Sequence, residues 1–423
     1  MEPVRSRRHL TELRRNALLG NALALMLSSA GTAILGVAFW GIAAHLAKES
    51  VVGRASAEVA SLALLANLAQ LSFGPIFERF LPVAGEKTAR FIVRAYAMTL
   101  TAGIVLSISY IALGLGHSFL PTALHWRIFF VVSVLLWTIF ILQDSALVGL
   151  RASRWIPVEN ILYALAKLGL LPLLISMMPH EGIFVAWMAP VVVTIIVVAY
   201  YTFTSRIPHN RATTELVDAL PTTRRLVGLA GAQYTTVLST IALSSVASLI
   251  VIDRIGATNN AYYFISAQIA VGPLLLVDGV GRSFLVEMSR EGHRSRHHSR
   301  VAIGALIALT IPSVIGGYFL APWILGIFGH PYAVHSTTLL RMQLLALPAS
   351  AVMVIYTAYA WYDQRVWRLV FRQVAMLVIF LSTLLLLVGR VGILAVGWAT
   401  IVSSSLVAIV VLPATIRRYR ATD

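Results

Sequence analysis

The sequence predicts an all-α polytopic membrane protein of about 12 transmembrane helices in two six-helix lobes, with both termini cytoplasmic. Three observations carry that prediction. Hydrophobic residues make up 58% of the 423 and charged residues only 12%, about half the charged share of a soluble domain. Long apolar runs alternate with short polar connections. Cations crowd into every second connection.

The apolar runs define the elements. A crossing of hydrocarbon roughly 30 Å thick takes about 20 mostly apolar residues as helix. Lipid offers no water to unpaired backbone groups, so every span is a helix or part of a closed barrel. Runs this long exclude the short alternation of a barrel. Twelve spans result, at about 17–46, 56–77, 92–115, 128–150, 159–178, 183–204, 227–252, 261–281, 301–326, 339–361, 371–389 and 391–412. The first is longer than a signal-peptide core and no A-x-A pattern follows it, so it reads as an uncleaved span. Pro75, Pro172, Pro190, Pro273, Pro312 and Pro348 fall within spans, where a missing N–H kinks a helix.

The cations orient the bundle. Lys48, Arg54, Arg127, Arg254, Arg341 and Arg390 fall at one set of connections and Lys167 inside a span; the remaining lysines and arginines all fall at the other set or in the termini. By the positive-inside bias the cation-rich set is cytoplasmic. The net charge of +16 is therefore directed at anionic membrane lipids, and nucleic acid is not a partner. Cysteine is absent, which excludes disulfides and thiol chemistry. The only lysines are Lys48, Lys87 and Lys167, a skew that high-GC codon usage produces, and the bacterial cytoplasmic membrane is the expected location.

The longest cytoplasmic connection divides the spans six and six. The organisation is a basic N-terminus (1–16), a first lobe (17–204), a linker (205–226), a second lobe (227–412) and a cytoplasmic tail (413–423). The halves repeat each other. "VVGRASAEVASLALLANLAQLSFGPIFERFL" follows span 1 and "RIGATNNAYYFISAQIAVGPLLLVDGVGRSFL" follows span 7; Gly53 and Arg79 recur as Gly256 and Arg282 at the same offset. Both halves begin on the cytoplasmic side, so the repeat is parallel, and such transporters hold substrate between the halves near the midplane.

"IAAHLAKESVVGRAS", "LSFGPIFERFLP" and "VIDRIGATNNAYYFISAQI" resemble, in order and spacing, segments of the polysaccharide-biosynthesis flippases of the multidrug/oligosaccharidyl-lipid/polysaccharide exporter superfamily. The resemblance covers nearly the whole chain. It implies alternating-access export of a polyprenyl-(pyro)phosphate-linked sugar or oligosaccharide for cell-surface polysaccharide, lipopolysaccharide included. It also implies glycosyltransferases or a polymerase of the same pathway as partners. Relatives often carry Arg where this chain has His45, so a phosphate grip at that position is weaker here or pH-dependent.

Substrate-binding candidates are Lys167, Arg254, His45 and Arg54; coupling candidates are Asp144, Asp253 and Asp278. Lys167 falls near the midplane of span 5, too deep for its ammonium to reach water easily. Asp144 falls at a similar depth on span 4, which predicts a pair across the hairpin: a structural ion pair, or a cavity cation whose partner carries the coupling ion. Arg254 and Asp253 either line the cavity or anchor the interface, with Tyr262 and Tyr263 as belt aromatics in the second case. Arg54–Glu58 and Asp278–Arg282 are spaced as i,i+4 helix-end pairs. His293, His297 and His298 lack companion acids or cysteines, so no metal site is expected.

No cofactor is expected. G-x-x-x-x-G-K-S/T is absent, which leaves a gradient of H+ or Na+, the membrane potential, or the substrate's own gradient as drive. The chain therefore reads as a transporter and not an enzyme. A cation-coupled multidrug exporter of the same superfamily is the alternative. A membrane glycosyltransferase or polysaccharide polymerase is the distant one, since the external loops are short and carry few carboxylates.

Overall fold

A computed structural model describes residues 31–213, 223–291 and 296–420. Every regular element there is helical, as the absence of water around the backbone demands. The first half runs α1 (Gly31–Leu46), α2 (Glu49–Ala69), α3 (Phe73–Phe80), α4 (Thr88–Ala112), α5 (Leu124–Gly149), α6 (Trp155–Met177), α7 (Gly182–Tyr201) and α8 (Ile207–Thr213). The second runs α9 (Thr223–Ile255), α10 (Ala257–Glu291), α11 (Arg296–Gly326), α12 (His330–Leu345), α13 (Leu347–Tyr362), α14 (Val366–Val391) and α15 (Leu394–Arg420). Eleven of these stretches, with α12 and α13 counted as one, are long and apolar enough to cross a membrane, and α1 is the described part of a twelfth.

The spans are longer than the apolar runs alone indicate. A π-turn at Thr202–Arg206 carries α7 into α8, so the segment read as a linker is helical as far as Thr213; 214–222, like the basic N-terminus and His293, lie outside the described residues. Two spans are broken. Leu71 and Ser72 take left-handed backbone (φ 48° and 65°) between α2 and α3, and Ala346 separates α12 from α13. Pro75 and Pro348 sit in the first turns of α3 and α13, where the lost N–H had no helical partner. Pro172, Pro190, Pro273 and Pro312 lie inside helices, as the sequence indicates.

Helices of the first half starting at 49, 88, 124, 155 and 182 recur at 257, 296, 330, 366 and 394. By this register Gly53 corresponds to Ala261, and Gly256 is instead the left-handed turn (φ +92°) joining α9 to α10. The two halves cross at these equivalent positions: a Cβ on Gly53 would run into the Ala257 carbonyl and meet the Ala261 amide.

The halves share one large core near the ends of α1 and α9, where Phe39, Trp40, Val51, Val251, Ile265 and Leu325 pack together. Toward the arginine-rich ends each half closes on its own core. Phe77, Leu81, Ile92 and Ile207 serve the first, and Val277, Phe284, Leu306 and Tyr359 the second. The halves thus share a core at the arginine-poor face and keep separate cores toward the arginine-rich face, with α2 and α9 running side by side between them and joined there by the Tyr234 hydroxyl on the Leu68 carbonyl.

Candidate functional site

A cavity of about 880 Å³ lies at the seam between the halves. Its walls come from α1 (Thr32 to Leu46), α10 (Gln268 to Leu275) and α11 (Ile324 to Phe328), with Lys167 of α6 and Trp187 of α7 behind them. The rim side chains Ile34, Leu46, Val271, Leu275 and Ile327 are all exposed apolar groups. The cavity therefore opens sideways, between α1 and the α10–α11 pair, onto the surface that lipid covers. At 1.5 Å per residue the lining stretch of α1 is about 21 Å long, most of the hydrocarbon thickness.

Lys167 occupies the inner wall. It is 4% exposed, twelve residues into α6 and ten from its end. Its Nζ lies 3.5 Å from the centroid of the Trp187 ring, 4.9 Å from Tyr163 and 5.1 Å from Phe39. Trp40 completes the aromatic wall, in ring contact with Phe39, Trp187 and Phe264 of α10. Three aromatic faces stabilise an ammonium by cation–π attraction without consuming its N–H donors. Among the described residues no acid pairs with Lys167. The indole N–H groups of Trp40 and Trp187 are likewise buried with no acceptor. Buried donors are almost always satisfied, so two unpartnered indole N–H groups beside an ammonium with no acid partner single this wall out.

The expected Lys167–Asp144 pair does not form. Helix α5 ends at Gly149 and α6 begins at Trp155, so Asp144 is five residues from one end and Lys167 twelve from the other. At 1.5 Å per residue the depths are about 7 and 18 Å, a mismatch of two helical turns. Asp144 is instead in electrostatic reach of Glu159.

The other predicted residues divide. His45 does line the cavity, with Nδ1 2.9 Å from the Gly41 carbonyl. Arg54 does not; its guanidinium meets His180 at 3.2 Å, and Glu58, its expected i,i+4 partner, is buried within the first half. Arg254 is not in the cavity either: it ends α9 with its side chain 63% exposed, 3.9 Å from Asp253. Asp253 lies 3.7 Å from His117 and accepts from Ser118. Both belong to the arginine-poor rim. Asp278 lies inside α10 and not at its end, in electrostatic reach of Arg282 and Arg372, and does not line the cavity. Tyr262 and Tyr263 are core residues and not belt aromatics. The first packs on Tyr332 and His335, and the second donates to the Ser244 carbonyl.

Of the two amides in "ATNNAYYF", Asn259 donates to the Ile255 carbonyl of its own half and Asn260 joins the halves. Asn260 is fully buried; its Nδ2 donates to the Gly53 carbonyl (2.8 Å) and to Ser56 (3.0 Å), and its Oδ1 accepts from Ser248 (2.8 Å). One side chain thus ties α2, α9 and α10 at the closed face. Sequence reasoning missed Asn260, Phe39, Trp40, Trp187 and Glu159. The available signal was tryptophan inside spans, where the aromatic belt does not require it.

No family model matches the chain, and no curated protein matches it. Solved structures do. A multidrug resistance MATE family transporter of the MOP superfamily, in an inward-facing conformation, superposes with a TM-score of 0.63 at 14% identity, over 92% of this chain and 95% of that one. The lipid II flippase MurJ, in an inward closed conformation, gives 0.70 at 14% identity, over 92% and 86%. A MATE structure in complex with MaL6 gives 0.62 at 17%, over 95% of each. The chain thus has the fold of membrane transporters and flippases, and of no enzyme among these neighbours. That fold is the one shared by MATE transporters and MurJ, and it is the fold that the resemblance of the sequence segments implies.

Proposed function

We propose that this protein exports an amphiphile with an anionic, acceptor-rich head, of the class of polyprenyl-(pyro)phosphate-linked sugars or oligosaccharides, for assembly of a cell-surface polysaccharide. The observation that carries the reading is Lys167, buried with no acid partner among the described residues and flanked by the unpartnered indoles of Trp40 and Trp187, behind an apolar opening. A phosphate or sugar satisfies such donors, and charge-assisted hydrogen bonds are the strong ones. The aliphatic rim lets a lipid tail stay in the bilayer while the head enters. Alternating access takes the head from the inner to the outer leaflet of a bacterial cytoplasmic membrane, with the arginine-rich face cytoplasmic. Separate cores of the two halves toward that face are compatible with loading from the inner leaflet. Glycosyltransferases or a polymerase acting on the same carrier are the partners, and anionic lipids cover the arginine-rich rim.

The second reading is a multidrug exporter, favoured by the MATE neighbours and by an aromatic wall suited to flat cations. An ammonium in the middle of that wall opposes a cationic drug. Proteoliposomes holding a fluorescent short-chain polyprenyl-pyrophosphoryl sugar decide between them. Transbilayer movement by wild type, reduced at least tenfold in Lys167→Met, is the expected outcome. Extrusion of a cationic dye with no lipid movement would favour the drug exporter.

A further inference from the structure

We propose that Arg341 binds the phosphate of an anionic phospholipid on the outside of the second half, in the leaflet at the arginine-poor side. The sequence puts Arg341 at a connection, but α12 begins at His330, so Arg341 lies eleven residues inside the span. At 1.5 Å per residue that is about 16 Å from the arginine-poor end, near the middle of a hydrocarbon layer roughly 30 Å thick. Lys167 lies at nearly the same depth but lines the cavity; Arg341 does not. Tyr332, Ser336 and Gln343 turn one face of α12 to α10. There the Tyr332 ring packs on Tyr262, the Ser336 hydroxyl donates to the Tyr262 carbonyl (3.0 Å) and the Ser266 hydroxyl donates to Gln343 (2.7 Å). Arg341 belongs to the opposite face with Val334, Thr338 and Leu345, all three exposed, at the three- and four-residue spacing of one helix stripe.

The guanidinium is drawn toward one leaflet and left with donors to spare. Its Nε donates to the backbone carbonyl of Tyr318 at 2.8 Å, and its carbon stands 4.4 Å from the centroid of the Tyr318 ring. Tyr318 precedes the end of α11 by eight residues, about 12 Å, so the side chain reaches from its own level toward the arginine-poor surface, as a snorkelling arginine does. Tyr318 is half exposed and flanked by exposed Ile315 and Phe319, so lipid covers the pair. Among the described residues Nη1 and Nη2 have no acceptor and no acid pairs with Arg341, and neither nitrogen is enclosed. A charge in hydrocarbon without a counter-ion is costly. A guanidinium oriented by stacking and a backbone bond presents a planar fork that matches two phosphate oxygens at once. A second copy of the chain is a poor source of the anion: Glu58 is the acid nearest this depth among the described residues, and it is buried within the first half. The cavity is lined by another face of α11, at Ile324, Ile327 and Phe328, so the occupant is a resident lipid and not cargo.

Native mass spectrometry of the full chain, released from detergent with phosphatidylglycerol or phosphatidylcholine added, counts bound lipid and subunits together. Anionic lipid at the arginine-rich rim is common to all variants, so the difference between them carries the test. Wild type should retain one phosphatidylglycerol more than Arg341→Leu and hold it about tenfold more tightly, with no difference for phosphatidylcholine. Arg341→Gln repeats the comparison with a polar side chain that can keep the bond to Tyr318, and thermal unfolding shows which variants fold. Retention of phosphatidylglycerol equal to wild type in either folded variant would overturn the site. So would loss of the extra molecule in Lys167→Met with retention in Arg341→Leu, which puts the lipid in the cavity. A wild-type dimer that Arg341→Leu converts to monomer, with lipid unchanged, would assign the arginine to a subunit contact instead. Displacement of the bound molecule by a polyprenyl phosphate at far lower concentration than by phosphatidylglycerol would make the site one for cargo, against the proposal.

Discussion

Helix α10 passes through two environments that differ in almost every respect. Its first turn crosses α2 so closely that Gly53 has no room for a Cβ, and Asn260 there has every polar atom satisfied. Two to five turns further on, Gln268 to Leu275 form one wall of a wide cavity whose far wall presents unpaired donors. Polar groups occur at both levels. At the crossing they are matched to one another, so the interaction is spent on holding the halves together. At the cavity the indoles of Trp40 and Trp187 have no partner, which is what the proposed substrate reading turns on. Satisfaction, and not polarity, separates a structural polar group inside a membrane from one that binds.

Substitutions can break this contrast. The largest effect should come from Gly53→Val, which drives a branched side chain into the Ala257 backbone. Overpacking of this kind destabilises by about 3 kcal/mol. Thermal unfolding of the detergent-purified protein should register the loss, and a cysteine introduced near the arginine-poor rim should become more reactive as the seam loosens.

Asn260→Ala and Lys167→Met should then move in opposite directions. Removing Asn260 strips partners from buried groups on α2 and α9 and should lower stability by about 2 kcal/mol. Lys167→Met removes a buried charge without a counter-ion, so stability should hold or rise. Lipid movement should nonetheless fall by about 30-fold, the equivalent of roughly 2 kcal/mol of charge-assisted hydrogen bonding. If both variants lose stability alike, Lys167 is structural and the contrast fails.

Trp187→Leu tests the wall more finely. It removes both the nearest ring from Lys167 and one free donor, which should reduce transport by about fivefold, in line with ~1 kcal/mol of cation–π attraction. The smallest effect belongs to Arg418→Ala. Its 2.8 Å bridge to Asp363 ties the end of α15 to α13 away from both environments, and partly exposed pairs contribute about 0.5 kcal/mol. A slightly lowered unfolding temperature with unchanged transport is the expected result.

Much of the fold was legible because bilayer physics makes it so. Twelve apolar runs, a mid-chain division and the asymmetry of arginine all follow from composition along the chain, and the helix starts recur in the two halves as a duplication requires. The repeat offset itself was misread, since Gly256 repeats the identity of Gly53 but not its place; a turn glycine and a packing glycine look alike in sequence. Lys167 and His45 were found because an ionisable group in or beside an apolar run stands out. Trp40 and Trp187 did not stand out, being apolar enough to pass as filling.

The sequence by itself determined that the chain spans a membrane, how many times, and which deep polar residues need an explanation, since each of these depends on the local cost of placing a group in hydrocarbon. Only the tertiary structure decided which polar residues find partners. Asp144 was matched to Lys167 by depth, yet helix ends displaced by a few residues place them two turns apart, with Asp144 at the depth of Glu159. Arg254 and Asp253 were placed at the rim, and Asn260 at the crossing, by where α9 stops and α10 begins. Pairing depends on the relative position of two helices, which is set by packing between segments far apart in the chain and is not written in either segment alone.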